Sequence, residues 1–210
     1  MQYNDETVRS FDASAGRYAE KYFGLRIYDT HYDAFLRLLP ADDCRLLDLA
    51  CGPGSVAAYF RAKRPKARIV CADRSSAMLA EAARRVPDVF VVNADCRDLG
   101  PIDGIFDGIA FCFGLSYLDD HDAMVALGQA RSKLCDRGAF LLASVTGDPQ
   151  SSGVHGTGDG NRVFSVSRRP ATVREMVLQA GFDVLSDHIV PSPENAPVRT
   201  FDVVLVARRR

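Results

Sequence analysis

Three carboxylates stand where an apolar run gives way to a turn. They are Asp48 in Leu46-Leu47-Asp48-Leu49-Ala50-Cys51-Gly52-Pro53-Gly54-Ser55, Asp73 after Ile69-Val70-Cys71-Ala72, and Asp95 in Asn93-Ala94-Asp95-Cys96. The first stretch carries the most chemistry. Its glycines let a backbone and a ligand approach closely, because a Cβ there collides with the ligand or demands strained dihedrals. The helical pattern after it starts with free N–H groups aimed at the same crevice. An acid in such a turn either accepts backbone amides or receives a cationic group of a ligand.

Two cofactor classes fit a strand, a glycine turn and a helix with an acid after the next strand. A dinucleotide asks for G-x-G-x-x-G around its pyrophosphate. The aligned residues here are Ala50, Gly52 and Ser55, so two of the glycines are absent, and Asp48 is a poor neighbour for phosphate. A nucleoside with a positively charged tail needs no phosphate cradle and welcomes Asp48. An NAD-dependent oxidoreductase is therefore the weaker alternative.

The elements that must position these acids alternate. Strands are expected at 45–49, 67–72, 89–92, 106–111 and 139–145. Helices are expected at 55–63, 75–85 (capped by Ser75 or Ser76) and 121–134 (with Asp119 or Asp120 near its start). Such alternation gives βαβ units and a parallel sheet covered on both faces. A helix over 170–180 stops at Gly181. Strands over 182–189 and 200–207 follow, joined by a loop with Pro191, Pro193 and Pro197 and no crossover helix, which suits an antiparallel pair. Before the strand at 45–49, Val8, Phe11, Ala15, Tyr18 and Tyr22 recur at helical spacing. Tyr28, Tyr32, Phe35, Leu36 and Leu39 continue the stripe until Pro40 and Asp42-Asp43 break it. Gly147 to Asn161 is glycine-rich and reads as a functional or disordered loop at the carboxyl edge of the sheet.

The composition is that of one globular domain: 210 residues, 47% hydrophobic, 25% charged, formal net charge −1. Near-zero charge gives no electrostatic case for nucleic acid or an anionic membrane. Arg208-Arg209-Arg210 reads as a solvated tail. No apolar run approaches the roughly 20 residues of a membrane span, and the first residues lack a secretory pattern. Six scattered cysteines without a CxxC pair read as reduced thiols of a cytoplasmic protein, and no zinc-ligand spacing occurs.

Asp48-Leu49-Ala50-Cys51-Gly52-Pro53-Gly54 resembles the D-x-G-x-G-x-G turn of the class I S-adenosylmethionine-dependent methyltransferases, with Ala50 replacing the first glycine. Val70 to Leu79 resembles that family's acid-ended second strand and helix. Asn93 to Leu99, Phe106 to Leu115, the Gly138 turn and Ala180-Gly181-Phe182 follow in register. Phe11 to Tyr18 is similar to the entry helix of small-molecule members. The resemblance implies an α/β Rossmann-like three-layer sandwich: a seven-stranded, mostly parallel sheet with one antiparallel strand, under an N-terminal helical lid (1–40). It implies a cofactor-binding core at 44–146, a substrate loop at 147–161 and a C-terminal helix and strand pair at 170–210. The implied cofactor is S-adenosyl-L-methionine. Asp48 would lie near its methionyl amine, with Ala50, Gly52 and Gly54 along the tail. Asp73 would take both ribose hydroxyls, Arg74 and Met78 would flank the adenine, Asp95 would meet its amino group and the Cys96 backbone a ring nitrogen. Phe113 would close over the sulfonium and Tyr18 would cap it.

Each residue also has a plain structural reading. Asp48 and Asp73 fit helix caps, Asp95 a turn, Met78 the core, and Tyr18 and Tyr22 a packed stripe. Asp107 reads as structural. A base is needed only if the acceptor loses a proton early. His31 reads as packing, His121 as surface, and His188 has no motif, which leaves His155 and Tyr117 as weak candidates. The expected reaction is in-line methyl transfer to a small molecule by a monomer or homodimer. The alternative is a non-catalytic protein that binds S-adenosylmethionine or S-adenosylhomocysteine for regulation.

Overall fold

Leu46, Leu47 and Leu49 are 0, 0 and 1% exposed, so β1 (Arg45–Leu49) is buried on both faces, as a central parallel strand must be. The computed structural model describes residues 2–40, 43–157, 160–196 and 198–210. Asp42, Pro197, and Gly158 and Asp159 of the glycine-rich segment lie outside them.

The chain runs through α1 (Gln2–Tyr22), α2 (Asp29–Leu36), β1, α3 (Ser55–Lys63), β2 (Arg68–Asp73), α4 (Ser76–Arg85), β3 (Phe90–Asn93) and β4 (Phe106–Cys112). It continues through α5 (Asp120–Lys133), β5 (Leu134–Thr146), β6 (Gly153–Gly156), β7 (Arg162–Ser165), α6 (Pro170–Gln179), β8 (Phe182–Pro191) and β9 (Phe201–Arg209). The main sheet has the order β3-β2-β1-β4-β5-β9-β8. β9 runs antiparallel to both its neighbours, so it is the single reversed strand of seven. One face buries Phe106, Phe111 and Leu142 against Ala126 and Leu127 of α5 and Val173 and Val177 of α6. The other buries Leu46, Ile69 and Val204 against Phe35 of α2, Phe60 of α3 and Ala82 of α4. This is the expected three-layer sandwich. No described helix is long and apolar enough to cross a membrane.

Three local features differ from the sequence reading. The aromatic stripe up to Leu39 is two helices, because Gly24 takes φ +83 and the chain turns before Tyr28. The Asp136-Arg137-Gly138 turn is a bulge inside β5. The strand already pairs at Phe106↔Leu134, and Arg137 (φ +55) absorbs the extra residues before Gly108↔Ala139. The glycine-rich segment is not an irregular loop throughout. Its residues 153–156 pair with β7 as an antiparallel hairpin, Val154 opposite Phe164 and His155 opposite Val163. The hairpin is docked on α1: the Ser10 hydroxyl donates to the Arg162 carbonyl (2.6 Å), the Phe164 N–H donates to Thr7 Oγ1 (2.9 Å), and Arg162 pairs with Glu6 (2.7 Å).

Candidate functional site

β1 lies between β2 and β4, and the chain leaves these strands towards opposite sides, so a crevice opens outside their carboxyl ends. The turn after β1 is left-handed at Ala50 (φ +53), Gly52 (φ +53) and Gly54 (φ +85). The two glycines do different work. A Cβ on Gly52 would meet nothing within 4 Å, so that backbone faces open space. A Cβ on Gly54 would lie 3.0 Å from Val86 and 3.1 Å from Ala82, so Gly54 lets the turn close on α4 and lines neither chamber of the crevice.

Asp73 ends β2 beside this turn. Its Oδ2 accepts the Gly52 N–H and its Oδ1 the Ser75 N–H, both at 2.9 Å. Burial pushes its carboxyl up, against the pull of those backbone amides. Ser75 caps α4 by accepting the Met78 N–H (3.1 Å).

The crevice has two joined chambers. The smaller, about 130 Å³, has Gly52, Asp73, Arg74, Met78, Asp95 and Cys96 in its wall and Thr7, Val8 and Phe11 of α1 over it. The larger, about 680 Å³, reaches from Asp48 to Tyr28, Tyr32 and Asp202. Tyr18, Ala50, Gly52, Phe113 and Tyr117 belong to both and form the passage between them. Aromatic contacts shape that passage. Phe11 meets Tyr18 (5.8 Å) and Tyr117 (5.0 Å) edge-on, and Tyr28 meets Phe113 at 5.3 Å. Phe113 sits at φ +68 with its N–H donated to the Ala143 carbonyl, which turns its ring into the opening. Burial pushes Tyr117 up to about 12 and raises Tyr18 further.

Asp95 heads a chain of ion pairs. It lies 3.4 Å from Arg74 and 2.7 Å from Arg97, which reaches Asp122 at 2.6 Å; Arg74 also holds Asp5 at 2.7 Å. Burial raises the Asp95 carboxyl, but hydrogen bonds from Arg97 outweigh it and hold the group below its ordinary value. Asp95 also makes the expected turn by accepting the Arg97 N–H (2.9 Å).

Asp48 is 1% exposed and accepts the Ala57 N–H of α3 at 3.0 Å. It gives the first turn of α3 an acceptor, as its cap reading expects, and it also lines the larger chamber. Burial pushes its carboxyl well above the carboxylate range, and the Ala57 N–H only partly offsets this. Asp107 accepts the Arg45 N–H (2.8 Å) and joins β4 to β1.

His155 is exposed on β6 and touches neither chamber; none of the described residues of 147–161 does. His31 and His188 meet with tilted rings at 4.9 Å, away from the crevice lining. Among the described residues no cluster of three or more His, Cys, Asp or Glu side chains is placed to hold a metal.

Three residues at the site escaped the motif reading. Asp12 of α1 accepts the Ser75 hydroxyl (2.6 Å) and the Ala77 N–H (3.1 Å), pinning the lid to α4. Arg168, 3% exposed, holds the turn 114–118 by donating to the carbonyls of Leu115 (3.3 Å) and Leu118 (2.8 Å), while pairing with Asp120 (2.8 Å). Asp202 is 1% exposed at the start of β9, where an acid stands within the apolar run Phe201 to Ala207; that interruption was its sequence signal.

Residues 46–138 match the family model described as a methyltransferase domain. Trans-aconitate 2-methyltransferase of Escherichia coli is 42% identical over 74 residues, 35% of this chain and 29% of that protein, so the match spans under a third of that relative. Among solved structures, the fold is similar to 1,6-didemethyltoxoflavin-N1-methyltransferase of Burkholderia thailandensis with bound 1,6-didemethyltoxoflavin and S-adenosylhomocysteine. That pair has TM-score 0.74 and 19% identity, over 99% of this chain and 89% of that one. It is also similar to DhpI in complex with SAH, with TM-score 0.69 and 24% identity over 96% of both chains. At these identities the two structures establish a shared fold. Residues 46–138 thus match a methyltransferase domain, and the chain as a whole shares the fold of these two structures.

Proposed function

We propose that the chain binds S-adenosyl-L-methionine through the smaller chamber and the passage, with its methionyl end reaching Asp48, and transfers its methyl group to a small molecule held in the rest of the larger chamber. The observation that carries this reading is the meeting of two chambers at one aromatic passage beside the Gly52–Asp73 pair. The residues fit the cofactor: Gly52 leaves open space where a side chain would stand, and Asp73 and Asp48 keep lone pairs beyond the amides they accept. Asp73 would hold the ribose hydroxyls, Arg74 and Met78 the adenine faces, and Asp95 and the Cys96 backbone the adenine edge. Asp48 would receive the methionyl amine, with Ala50 and Gly52 along the tail. When bound, the cofactor supplies an electrophilic methyl group on sulfur. Tyr18, Phe113 and Tyr117 exclude water at the passage and align the acceptor with it. A small-molecule acceptor agrees with the names of the Escherichia coli and Burkholderia thailandensis proteins.

Calorimetry with S-adenosylhomocysteine, followed by labelled-methyl transfer into a small-molecule extract, tests the reading. Saturable binding and a labelled small product are expected. Binding without transfer to any extract would leave a nucleoside-binding regulator, and tighter binding of NAD would overturn the cofactor.

A further inference from the structure

The larger chamber ends at a buried carboxylate. Asp202 opens β9 at the crevice edge of the sheet and is followed on the same face by Val204 and Val206, which pack in the core with Tyr28 and Tyr32. Its Oδ2 accepts the Tyr28 hydroxyl at 2.5 Å. Its Oδ1 is buried and has no hydrogen-bond partner among the described residues. A carboxylate oxygen withdrawn from water without a donor is costly, and such a group at a cavity wall suits a donor brought by a ligand.

The rest of the chamber limits what that ligand is. Its walls are rings and apolar side chains, among them Tyr22, Tyr28, Tyr32, Phe113 and Val145. The cations among its described lining residues are Arg26 and Lys63. Arg26 is 86% exposed and paired with Asp29 at 2.9 Å, and Lys63 is 51% exposed and 3.7 Å from Asp33. Both stand at the rim. The acids deep in the chamber are Asp48, which faces the cofactor's amine, and Asp202, both 1% exposed and both with carboxyls raised by burial. A polycarboxylate entering it would meet no buried cation among the described lining residues to offset its desolvation.

Resting on the methyltransferase reading above, we propose that Asp202 recognises the methyl acceptor. That acceptor is a neutral or cationic ring compound that donates an N–H or O–H to Asp202 Oδ1 while its faces lie against the tyrosines. Polycarboxylates are excluded, which separates this chain from the trans-aconitate enzymes it partly matches.

The test is calorimetry on the full chain saturated with S-adenosylhomocysteine, using 7-hydroxyquinoline, quinoline and trans-aconitate as probes. The hydroxyl-bearing ring is expected to bind at least about tenfold more tightly than quinoline, since a site built for a donor rejects the analogue lacking it. Trans-aconitate is expected to give no binding. Asp202→Asn should bring the two rings to within about twofold of each other while leaving S-adenosylhomocysteine affinity intact. A preference unchanged in that variant would show that the oxygen holds only water, and would overturn the proposal. So would tightest binding of trans-aconitate, or equal or absent binding of both rings by the parent protein, whatever the fate of the variant. If S-adenosylhomocysteine itself does not bind, the cofactor reading fails, and the three probes titrated alone still decide the role of Asp202.

Discussion

Ala50 and Gly114 face each other across the head of the crevice: a Cβ on Gly114 would lie 2.6 Å from the Ala50 Cβ and 2.5 Å from the Phe111 ring. Gly114→Ala is therefore an overpacking change and should cost about 1–3 kcal/mol in urea unfolding. Ala50→Gly removes one of the two collisions and should restore part of that loss in the double variant. Full additivity of the two changes would show that they do not touch.

Asp73 should govern cofactor affinity through two routes, its own carboxylate and the Gly52 amide it orients. Asp73→Ala should weaken S-adenosylhomocysteine binding more than tenfold, the weight of one or two charge-assisted hydrogen bonds at about 1.5–3 kcal/mol each. Unchanged affinity in calorimetry would remove it from the ribose site.

The buried Asp48 carboxyl gives a pH signature. Its folded-state pKa is raised by burial above the ordinary 3.8, so the native state holds the proton more tightly than the unfolded chain. That contribution to stability is complete below about pH 4 and is lost as pH rises through the raised value. Asp48→Asn keeps an acceptor for the Ala57 N–H without the charge. Its stability relative to the parent should therefore increase as pH rises above about 4 in urea titrations. A difference independent of pH would mean that Asp48 titrates normally.

Arg168 holds two carbonyls of the turn that carries Phe113 and Tyr117. Its pair with Asp120, whose side chain is 80% exposed, is screened and adds little. Arg168→Leu orphans the carbonyls and should cost about 1–3 kcal/mol, together with weaker S-adenosylhomocysteine binding. Asp120→Asn should cost under about 1 kcal/mol. Equal losses would reassign the weight to the ion pair.

Asp12→Ala removes a cap shared between two helices and should cost about 1 kcal/mol. Hydrogen exchange should quicken in α1 and in the first turn of α4 while β1 stays protected. Uniform quickening would mean that the lid and the sheet open as one unit.

Much of this was legible because the period of the chain changes with its environment. Alternating buried strands and helices announced themselves as apolar runs and stripes, and Arg45–Leu49 and Ser55–Lys63 were read to the residue. Asp73 was legible because an acid ends a buried strand, and Asp48 because an acid stands before a glycine turn. Gly54 matched the family motif, yet its function is to admit Ala82 and Val86, a contact between elements that no local pattern reports. The hairpin at β6–β7 was invisible because its stability comes from α1, more than 150 residues away in sequence, through Ser10 and Thr7. Asp202 was overlooked because its meaning depends on Tyr28, which reaches it from the lid.

The ties on α1 bear on timing. Glu6, Thr7 and Ser10 fasten one stretch of the helix to the hairpin, and Asp12 fastens the next to α4. The roof of the smaller chamber is thus held from two sides within seven residues, by partners on opposite flanks of the crevice. A nucleoside beneath it leaves when both sets part together. On the function proposed above, release of spent cofactor would require both sets of bonds to open, a step of the kind that limits turnover in many enzymes.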